Sequence, residues 1–202
     1  MNNPLYPLGY KVGHYRQARR LALASAQAAG ILWEFRWGAS TGDIAYIKRV
    51  TLKAVQIANA TAEELRFNLK IARTFTAANT TNTASILTTG NSQQLQTPYA
   101  ASTLTAFRES NSATAATGGT LTQDTDSIAQ GSFVSLATIS TTDQARQDIV
   151  FDFNPLAESD QLLGLRQDEG WVINLEAAKG ATTGVVLIME TAWAEATVVG
   201  AI

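Results

Sequence analysis

The chain has 202 residues, a formal net charge of -2, one histidine and no cysteine, and only 16% of its side chains are charged. This length suits a single β domain with one core. The absence of cysteine excludes disulfides, thiolate metal sites and thiol catalysis, and the slightly negative charge, without a basic patch interleaved with aromatic residues, argues against nucleic-acid binding.

Neither a membrane span nor an export signal is visible in the sequence. No apolar run approaches the roughly 20 residues that a membrane span needs, and residues 1–4 lack the charged and apolar regions of a signal peptide. We therefore expect a soluble chain that is not exported and does not enter a membrane. Ala and Thr are abundant, and such small neutral residues favour extended polypeptide with a low-charge surface that can contact other proteins.

Residues 1–16 have the features of an extended N-terminal arm, followed by a single β-sandwich domain over 17–202. Prolines and glycines oppose regular structure, and no acidic residue occurs before Glu34, so this end of the chain is basic. It is either a solvated or disordered terminus, or an arm that reaches a neighbouring subunit, with tyrosines filling pockets and cations meeting acidic groups. In the second case the partner-binding residues are Tyr6, Tyr10, Lys11, Tyr15, Arg16, Arg19 and Arg20.

Three strands are predicted over residues 21–57. Residues 21–29 are alanine-rich and ambiguous between helix and strand, and we assign them to a strand. Residues 31–37 alternate, which places Ile31 on the face of Trp33 and Leu32 on the opposite face. Residues 44–57 continue in this way and predict a long central strand, with a bulge or bend near Lys48 and Arg49.

Residues 61–75 are compatible with two structures. Thr61 and Glu64 have the spacing of a helix capping box, which would permit a short helical turn or a helix over 61–75. From residue 65 to residue 72, however, apolar and polar side chains alternate. We therefore predict a half-buried strand with a polar outer face.

Residues 76–125 are dominated by Ala, Thr, Asn, Ser and Gly. Such a sequence buries little surface, so we predict long loops with short strands, which serve a function, become ordered by a partner or are tolerated filler. Beyond this stretch, residues 132–139 and 149–153 predict strands and residues 156–160 a helical turn. Residues 162–165 then lead through a turn at Asp168 to Gly170 into the last two strands.

Residues 171–193, W-V-I-N-L-E-A-A-K-G-A-T-T-G-V-V-L-I-M-E-T-A-W, are the most strongly patterned stretch. Two runs of Val, Ile, Leu and Trp flank a segment with Gly180 and Gly184, so we predict a β-hairpin. The first run alternates like a half-exposed strand, whereas residues 185–189 are apolar throughout and indicate a strand covered on both faces. Such a strand needs a second layer, so the rest of the chain must supply the other sheet of a sandwich or a closed barrel.

The sequence offers few groups for catalysis or metal binding. His14 is the only histidine and lies in the arm, so the sequence lacks the histidines that a histidine-rich metal site needs and offers only this one for a Ser-His-Asp triad. The nucleotide-binding, esterase and zinc-protease motifs are absent. Asp124 and Asp126 could bind a hard cation, but the remaining EF-hand ligands are missing, so solvated loop carboxylates are the preferred interpretation.

Two acidic pairs can be considered as glycosidase carboxylates. Glu158 with Asp160 and Asp168 with Glu169 are each close in sequence, and such neighbours rarely face each other across one bond. We therefore do not expect an enzyme. The tryptophans could form a sugar platform, but at strand spacing they are more typical of a core or an interface. They are Trp33, Trp37, Trp171 and Trp193.

Five segments between Arg19 and Glu195 resemble, in their order, small structural proteins of tailed-phage virions. The shared pattern is a W-G after a strand, a strand of the form L-x-F-x-L-x-I-A-R-x-F, an E-G-W-V-I turn and a W-A-E ending. The segments are R-R-L-A-L-A-S-A, W-E-F-R-W-G, A-E-E-L-R-F-N-L-K-I-A-R-T-F-T-A-A-N, D-E-G-W-V-I-N-L and V-L-I-M-E-T-A-W-A-E.

This resemblance implies an all-β, jelly-roll-like antiparallel β-sandwich that decorates or cements a capsid, or serves in a fibre or tail, without enzymatic activity or a cofactor. Its partners would be the major capsid protein or another virion protein, together with copies of itself, for which we expect closed symmetry such as a trimer. The protein would be made in the host cytoplasm and end on the capsid surface. A carbohydrate-binding receptor module and a carboxylate-dependent hydrolase are the rival hypotheses.

Overall fold

The computed structural model describes residues 13–38, 43–87, 93–94, 101–139, 146–152, 163–181 and 183–197. Within these ranges the chain forms thirteen β-strands and no helix, and so offers no helical segment that could cross a membrane. The strands are β1 (Gly13–Ala22), β2 (Gly30–Trp37), β3 (Asp43–Gln56), β4 (Glu63–Ala77), β5 (Thr83–Ser85), β6 (Gln93–Gln94), β7 (Ala106–Ser110), β8 (Thr120–Gln123), β9 (Ala129–Ser135), β10 (Arg146–Asp152), β11 (Leu163–Leu165), β12 (Glu169–Leu175) and β13 (Val185–Thr197).

The strands form two antiparallel sheets. Sheet A has the order β10-β3-β13-β1-β6, with β11 also paired to β3, and sheet B has the order β5-β7-β2-β12-β4-β8, with β9 also paired to β4. Eight of the strands are arranged as in a jelly roll, with β1-β13-β3-β10 in one sheet and β2-β12-β4-β9 in the other. The predicted all-β, jelly-roll-like sandwich is confirmed.

Aromatic side chains from both sheets fill the space between them. Phe35 of β2 stacks on Trp171 of β12 with 5.4 Å between ring centroids, and it meets Trp193 of the opposite sheet edge to face at the same distance of 5.4 Å. Phe107 of β7 lies 5.6 Å from Phe35 and 5.7 Å from Trp171. Burying one large side chain of this kind contributes about 1.5 to 3 kcal/mol, so this cluster holds the sheets together.

The predicted hairpin over 171–193 is wrong, although both of its strands exist. β12 pairs with β2 and β4 in sheet B, whereas β13 pairs with β1 and β3 in sheet A. The intervening segment, 176–184, therefore crosses from one sheet to the other. β12 is also not half exposed as predicted, since Val172, on the side away from Trp171, is fully buried. Each strand instead occupies the middle of its own sheet.

The crossing segment does not close a turn on itself because its polar groups bind other parts of the chain. The Gly180 N–H donates to both carboxylate oxygens of Glu63, at 3.0 and 2.9 Å. The Lys179 N–H donates to the Gln27 carbonyl at 2.8 Å, and the Gly180 carbonyl accepts from the Ala26 N–H at 3.1 Å. These contacts replace the hydrogen bonds that a hairpin would have made.

A β-bulge in β3 confirms the irregularity predicted near Lys48 and Arg49. Arg49 lies opposite Ala192, but Trp193 lies opposite Ile47, so Lys48 is an extra residue. A bulge changes which side chains share a face of the sheet. Here it places the two consecutive cations on the same, outward side of sheet A.

A second bulge, in β2, corrects the predicted alternation of residues 31–37. Ile173 lies opposite Trp33, but Asn174 lies opposite Ile31, which makes Leu32 the extra residue. Leu32 is fully buried in the main core together with Trp33. Ile31 instead packs against a small cluster on the outer side of sheet B.

The other strand predictions meet different outcomes. β2, β3 and β4 confirm the strands predicted over 31–37, 44–57 and 65–72, and the helix considered for 61–75 is wrong. β9 starts and ends earlier than the predicted 132–139, and β10 overlaps the predicted 149–153. Short strands do occur within 76–125, namely β5 to β8. The helical turn predicted for 156–160 lies outside the described residues.

The N-terminal predictions need two corrections. Only residues 21 and 22 of the strand predicted over 21–29 belong to a strand, since β1 ends at Ala22 and Ala26 has a positive φ of 53°. Residues 13–16, assigned to the arm from the sequence, form the start of β1 and pair with β13. Residues 1–12 lie outside the described part of the chain.

Gly170 tests the packing of β12 against β2. A Cβ on Gly170 would lie 2.2 Å from the carbonyl oxygen of Phe35 and 2.7 Å from the ring of Phe75. Because a strand backbone cannot move away, we expect Gly170→Ala to lower the free energy of unfolding by about 1 to 3 kcal/mol. At Gly164, where the nearest contact would be 3.5 Å, we expect alanine to change it by no more than about 0.5 kcal/mol. Chemical denaturation measures both values, and equal stabilities would contradict this packing.

Candidate functional site

Tyr15, considered from the sequence as a partner contact, is a core residue. Its side chain is 3% exposed, and its ring stacks on Trp193 with 5.5 Å between centroids. Burial, assisted by the nearby charge of Glu195, raises the pKa of Tyr15 to about 12. The other arm residues considered, Tyr6, Tyr10 and Lys11, lie outside the described residues.

Arg19 joins the two sheets. From β1 in sheet A, its Nε donates to both carboxylate oxygens of Glu109 of β7 in sheet B, at 3.0 and 3.1 Å, and its terminal nitrogen donates to one of them at 2.8 Å. These hydrogen bonds raise the pKa of Arg19. Glu109 is buried, and paired hydrogen bonds between charged groups are stronger than single neutral ones. The structure thus gives Arg19 an internal partner.

Arg16 and Arg20 point to the opposite side of β1, away from the core. Arg16 forms an ion pair of 2.5 Å with Glu190 of β13. Arg20 is exposed and makes no hydrogen bond or ion pair within the described ranges. Of the proposed partner-binding residues that the structure describes, these two therefore face outward.

Glu34 is a buried carboxylate on the outer face of sheet B. Asn79, in the loop after β4, donates its backbone N–H to Glu34 at 2.8 Å and its side-chain amide at 2.5 Å. The Asn79 Oδ1 accepts in turn from the Gly119 N–H at 3.1 Å. Burial raises the pKa of Glu34, and the two hydrogen bonds from Asn79 oppose this shift. Glu34 therefore anchors two loops over the sheet.

Glu195 anchors a third segment. Its carboxylate accepts hydrogen bonds from the Trp193 indole at 3.0 Å, from the Thr103 N–H at 2.9 Å and from the Thr103 hydroxyl at 3.0 Å. It also accepts from the Ser102 hydroxyl. These four contacts fix the chain before β7 against sheet A and occupy the acceptor capacity of the carboxylate.

His14 contacts a lysine on the outward side of sheet A. Its Nδ1 lies 2.8 Å from Nζ of Lys48. Burial, and to a smaller extent the positive charge of Lys48, lowers the pKa of His14. The neutral imidazole can accept a hydrogen bond from Lys48, which is a structural role on the outward side of sheet A.

Three of the carboxylates weighed as catalytic or metal ligands, Asp124, Asp168 and Glu169, have structural partners. Asp124 pairs with Arg73 at 3.2 Å and Asp168 with Arg36 at 2.7 Å. Glu169 accepts from the Arg166 N–H at 2.8 Å, which closes the predicted turn. Among the described residues, no group of three or more His, Asp or Glu could hold a metal ion. Asp126 is exposed, and Glu158 and Asp160 lie outside the described ranges.

All four tryptophans belong to the core, with at most 1% of each exposed. The Trp37 indole donates to the Asp43 carbonyl at 3.2 Å, and the Trp193 indole is held by Glu195. Aromatic rings that contact a sugar must be open to solvent. The tryptophans therefore cannot form the sugar platform that the sequence left open.

The outward side of sheet A carries a concentration of positive charge, which we call the basic face. Its cationic side chains stand on β1 and β3, Glu190 and Asp148 are carboxylates on the same face, and Asp152 of β10 lies opposite Arg49 in the strand register. Lys53 lies 3.8 Å from Asp148. The cations of the basic face are Arg16, Arg20, Lys48, Arg49 and Lys53.

The outward side of sheet B carries a polar groove instead. Two adjoining cavities of about 290 and 470 Å³ share Asn68 and Glu176 in their walls. Asn174 donates to Gln123 at 2.6 Å, while its Oδ1 is buried without a partner in the described structure. Positive and negative side chains are mixed here, since Arg66 binds Glu64 at 2.8 Å. The groove is a polar surface without a dominant charge.

The fold and these contacts define the chain as a jelly-roll β-sandwich protein with an asymmetric surface charge. Comparison with known protein families finds no matching family, and comparison with curated protein sequences finds no match either. Its function must therefore be argued from its own geometry and from the resemblance carried by its five segments.

Sequence reasoning missed the internal roles of Glu34, Glu109 and Glu195 and the grouping of Lys48, Arg49 and Lys53 with the β1 arginines. The carboxylates lie in strands where alternation suggests exposure, and their partners come from distant loops. The grouping had one signal, the predicted bulge near Lys48. Combined with the order of strands, that bulge would have indicated a basic face.

Arg19 and Arg20 form a matched pair of neighbours on opposite sides of one strand. We expect Arg19→Ala to lower the free energy of unfolding by about 1 to 3 kcal/mol, because it leaves the buried Glu109 carboxylate without its donors. We expect Arg20→Ala to change it by no more than about 0.5 kcal/mol, since Arg20 makes no such contact. Urea denaturation distinguishes the two, and an Arg19→Ala variant as stable as Arg20→Ala would refute the cross-sheet role.

Glu34 should make the free energy of unfolding depend on pH. Because its pKa is raised in the folded protein, the native state holds the Glu34 proton more tightly than the unfolded chain does. The resulting stabilisation is complete below the unfolded pKa and is lost as pH rises through the folded pKa. We therefore expect Glu34→Gln to cost more unfolding free energy at about pH 4 than at about pH 8.

Glu64 provides the control for this measurement. The hydrogen bond from Arg66 lowers the pKa of Glu64, so its stabilisation is present above the unfolded pKa and is lost as pH falls through the folded pKa. Glu64→Gln should therefore show the opposite trend. Urea denaturation across pH checks both variants, and a Glu34→Gln cost that rises with pH would contradict the assignment.

Proposed function

We propose that this chain is a non-enzymatic structural protein of a tailed-phage virion, which decorates or cements the capsid by binding neighbouring major capsid proteins and its own copies. It would be made in the host cytoplasm and reside on the capsid surface. The observation that carries this proposal is the use of the carboxylates that are buried in the described part of the chain, Glu34, Glu109 and Glu195. Each accepts hydrogen bonds from the protein's own groups.

A carboxylate that serves as general acid or base must reach the substrate. Glu34 lies under Asn79, Glu109 holds Arg19, and Glu195 is surrounded by its donors. The chemical groups in the interior thus support the fold, and what remains for function is the surface. A sandwich of this kind suits repeated weak contacts, which become strong by avidity when many copies are present.

Self-association is part of the proposal. Copies on a capsid meet around symmetry axes, and closed cyclic arrangements are common among homo-oligomers, so we propose a trimer. The low proportion of charged residues, 16% of the chain, favours such contacts because few charges need to be desolvated.

A fibre or tail component, or a carbohydrate-binding receptor module, is the second candidate function. The observation in its favour is the polar groove on sheet B, where Asn68 is 9% exposed and Asn174 keeps an unpaired acceptor within the described structure. Amide groups of this kind can bind sugar hydroxyls. A glycan array tests this candidate, and the absence of binding would remove it.

Deleting residues 1–12 tests the proposal. The deletion spares every residue of β1, which begins at Gly13, so we expect an unchanged thermal unfolding midpoint. Incorporation into particles should fall at least about tenfold, because an arm that bridges copies adds effective concentration. Mass spectrometry of virions from a phage that carries the deletion measures the incorporation.

A Gly/Ser segment of the same length in place of residues 1–12 provides the control for chain length. It should fail like the deletion if Tyr6, Tyr10 and Lys11 of the arm matter. Wild-type incorporation by both variants would contradict the role of the arm, and absence of the wild-type protein from virions would contradict the proposed function.

A further inference from the structure

We propose that the basic face of sheet A is the surface that docks on the virion shell, and that it binds an acidic surface of the shell protein. This inference rests on the proposed function and adds to it the docking surface and the chemistry of the partner.

The strand register brings together cations that are far apart in the sequence. Two rows of outward residues cross β1, β13 and β3, and each row has a cation at both ends. The first row is Arg20, Ile188 and Lys53, and the second is Arg16, Ala192 and Arg49. Residues rise about 3.3 Å each along a strand, so the rows lie about 13 Å apart on one face. The four cations therefore frame a single patch.

The bulge in β3 increases the charge of this patch. In a regular strand, consecutive residues point to opposite faces, and either Lys48 or Arg49 would point into the core. Because Lys48 is the extra residue, Arg49 stays in register with Arg16, and Lys48 reaches His14 on the same side. The face thus has five cationic residues against three acidic ones, Glu190, Asp148 and Asp152, the last of which lies opposite Arg49 in the strand register.

The size and shape of the face suit a protein partner. Four strands about ten residues long cover roughly 600 Å², which approaches the roughly 800 Å² that each partner contributes to a standard interface. Ala18, Ala192 and Ile188 separate the cations, and Glu190, the ion-pair partner of Arg16, stands at the centre of the patch. A flat surface with short side chains between charges allows close approach of another folded protein.

An acidic protein fits this face better than nucleic acid does. The whole chain carries a net charge of -2, which opposes the approach of a polyanion with one negative charge about every 1.7 Å. The face also lacks, in its described part, the aromatic residues between cations that stack on exposed bases, apart from Tyr46 at one end. A negatively charged protein with one positive face can instead bind, through that face, a partner protein whose acidic patch is small.

Two double variants with the same change in net charge test the inference. Arg20→Glu with Lys53→Glu reverses the basic face, and Arg66→Glu with Lys70→Glu makes the same change on the outward side of sheet B. Arg20→Ala with Lys53→Ala removes charge without adding repulsion. The probe is a capsid shell assembled from the major capsid protein of the same phage genome, and binding is measured by co-sedimentation at about 50 and about 300 mM NaCl.

We expect reversal of the basic face to weaken shell binding at least about tenfold, the alanine pair to weaken it less, and the sheet B control to stay within about twofold of the wild type. Wild-type binding should weaken at the higher salt concentration. Thermal unfolding establishes that each variant is folded. If the charge-reversed variant does not fold, shell binding of the alanine pair is compared with that of the wild type instead.

The remaining outcomes separate the two proposals. Wild-type binding that neither basic-face variant alters would overturn the inference and leave the proposed function standing. No binding of the wild type to shells, and none in virions, would overturn both. Tight binding of a DNA duplex that is lost on reversal of the basic face would show that the partner is nucleic acid, which contradicts the inference.

Discussion

The structure depends on the crossing between β12 and β13. These two consecutive strands occupy the middle of opposite sheets, so the chain between them must change layers. Glu63 holds this crossing through the Gly180 N–H, and Gln27 holds it through Lys179. With the crossing fixed, β1 and β3 flank β13, and β2 and β4 flank β12, which is the jelly-roll order.

Buried carboxylates fix the relative positions of the sheets and loops, which burial of apolar side chains alone does not determine. An apolar core favours burial without direction, whereas a carboxylate requires specific donors at specific positions. Glu109 aligns sheet B with sheet A through Arg19, Glu34 holds the Asn79 loop, and Glu195 holds Thr103. The same groups that could have suggested catalysis therefore specify the fold.

Much of the fold could be predicted from the sequence because local periodicity reports which residues face a core, as in β4 and at the Lys48 bulge. Periodicity does not reveal which strand lies beside which, so the segment around Gly180 favours a hairpin locally although its groups bind distant residues. The candidate site was less predictable, since nothing in the sequence separates Arg19, which reaches Glu109 of the opposite sheet while 45% of its side chain stays exposed, from Arg20, which points away from the core. The basic face has no contiguous sequence signal, because it arises when the register of three strands aligns Arg20 with Lys53.

The central claim is that this sandwich works by surface contact, with the outward side of sheet A against a virion shell. A cryo-electron microscopy reconstruction of the proposed virion with the chain bound tests it most directly. The account predicts density for the jelly roll on the shell, with Arg20 and Lys53 facing acidic side chains of the capsid protein. Density that places sheet A toward solvent and sheet B against the shell would contradict it.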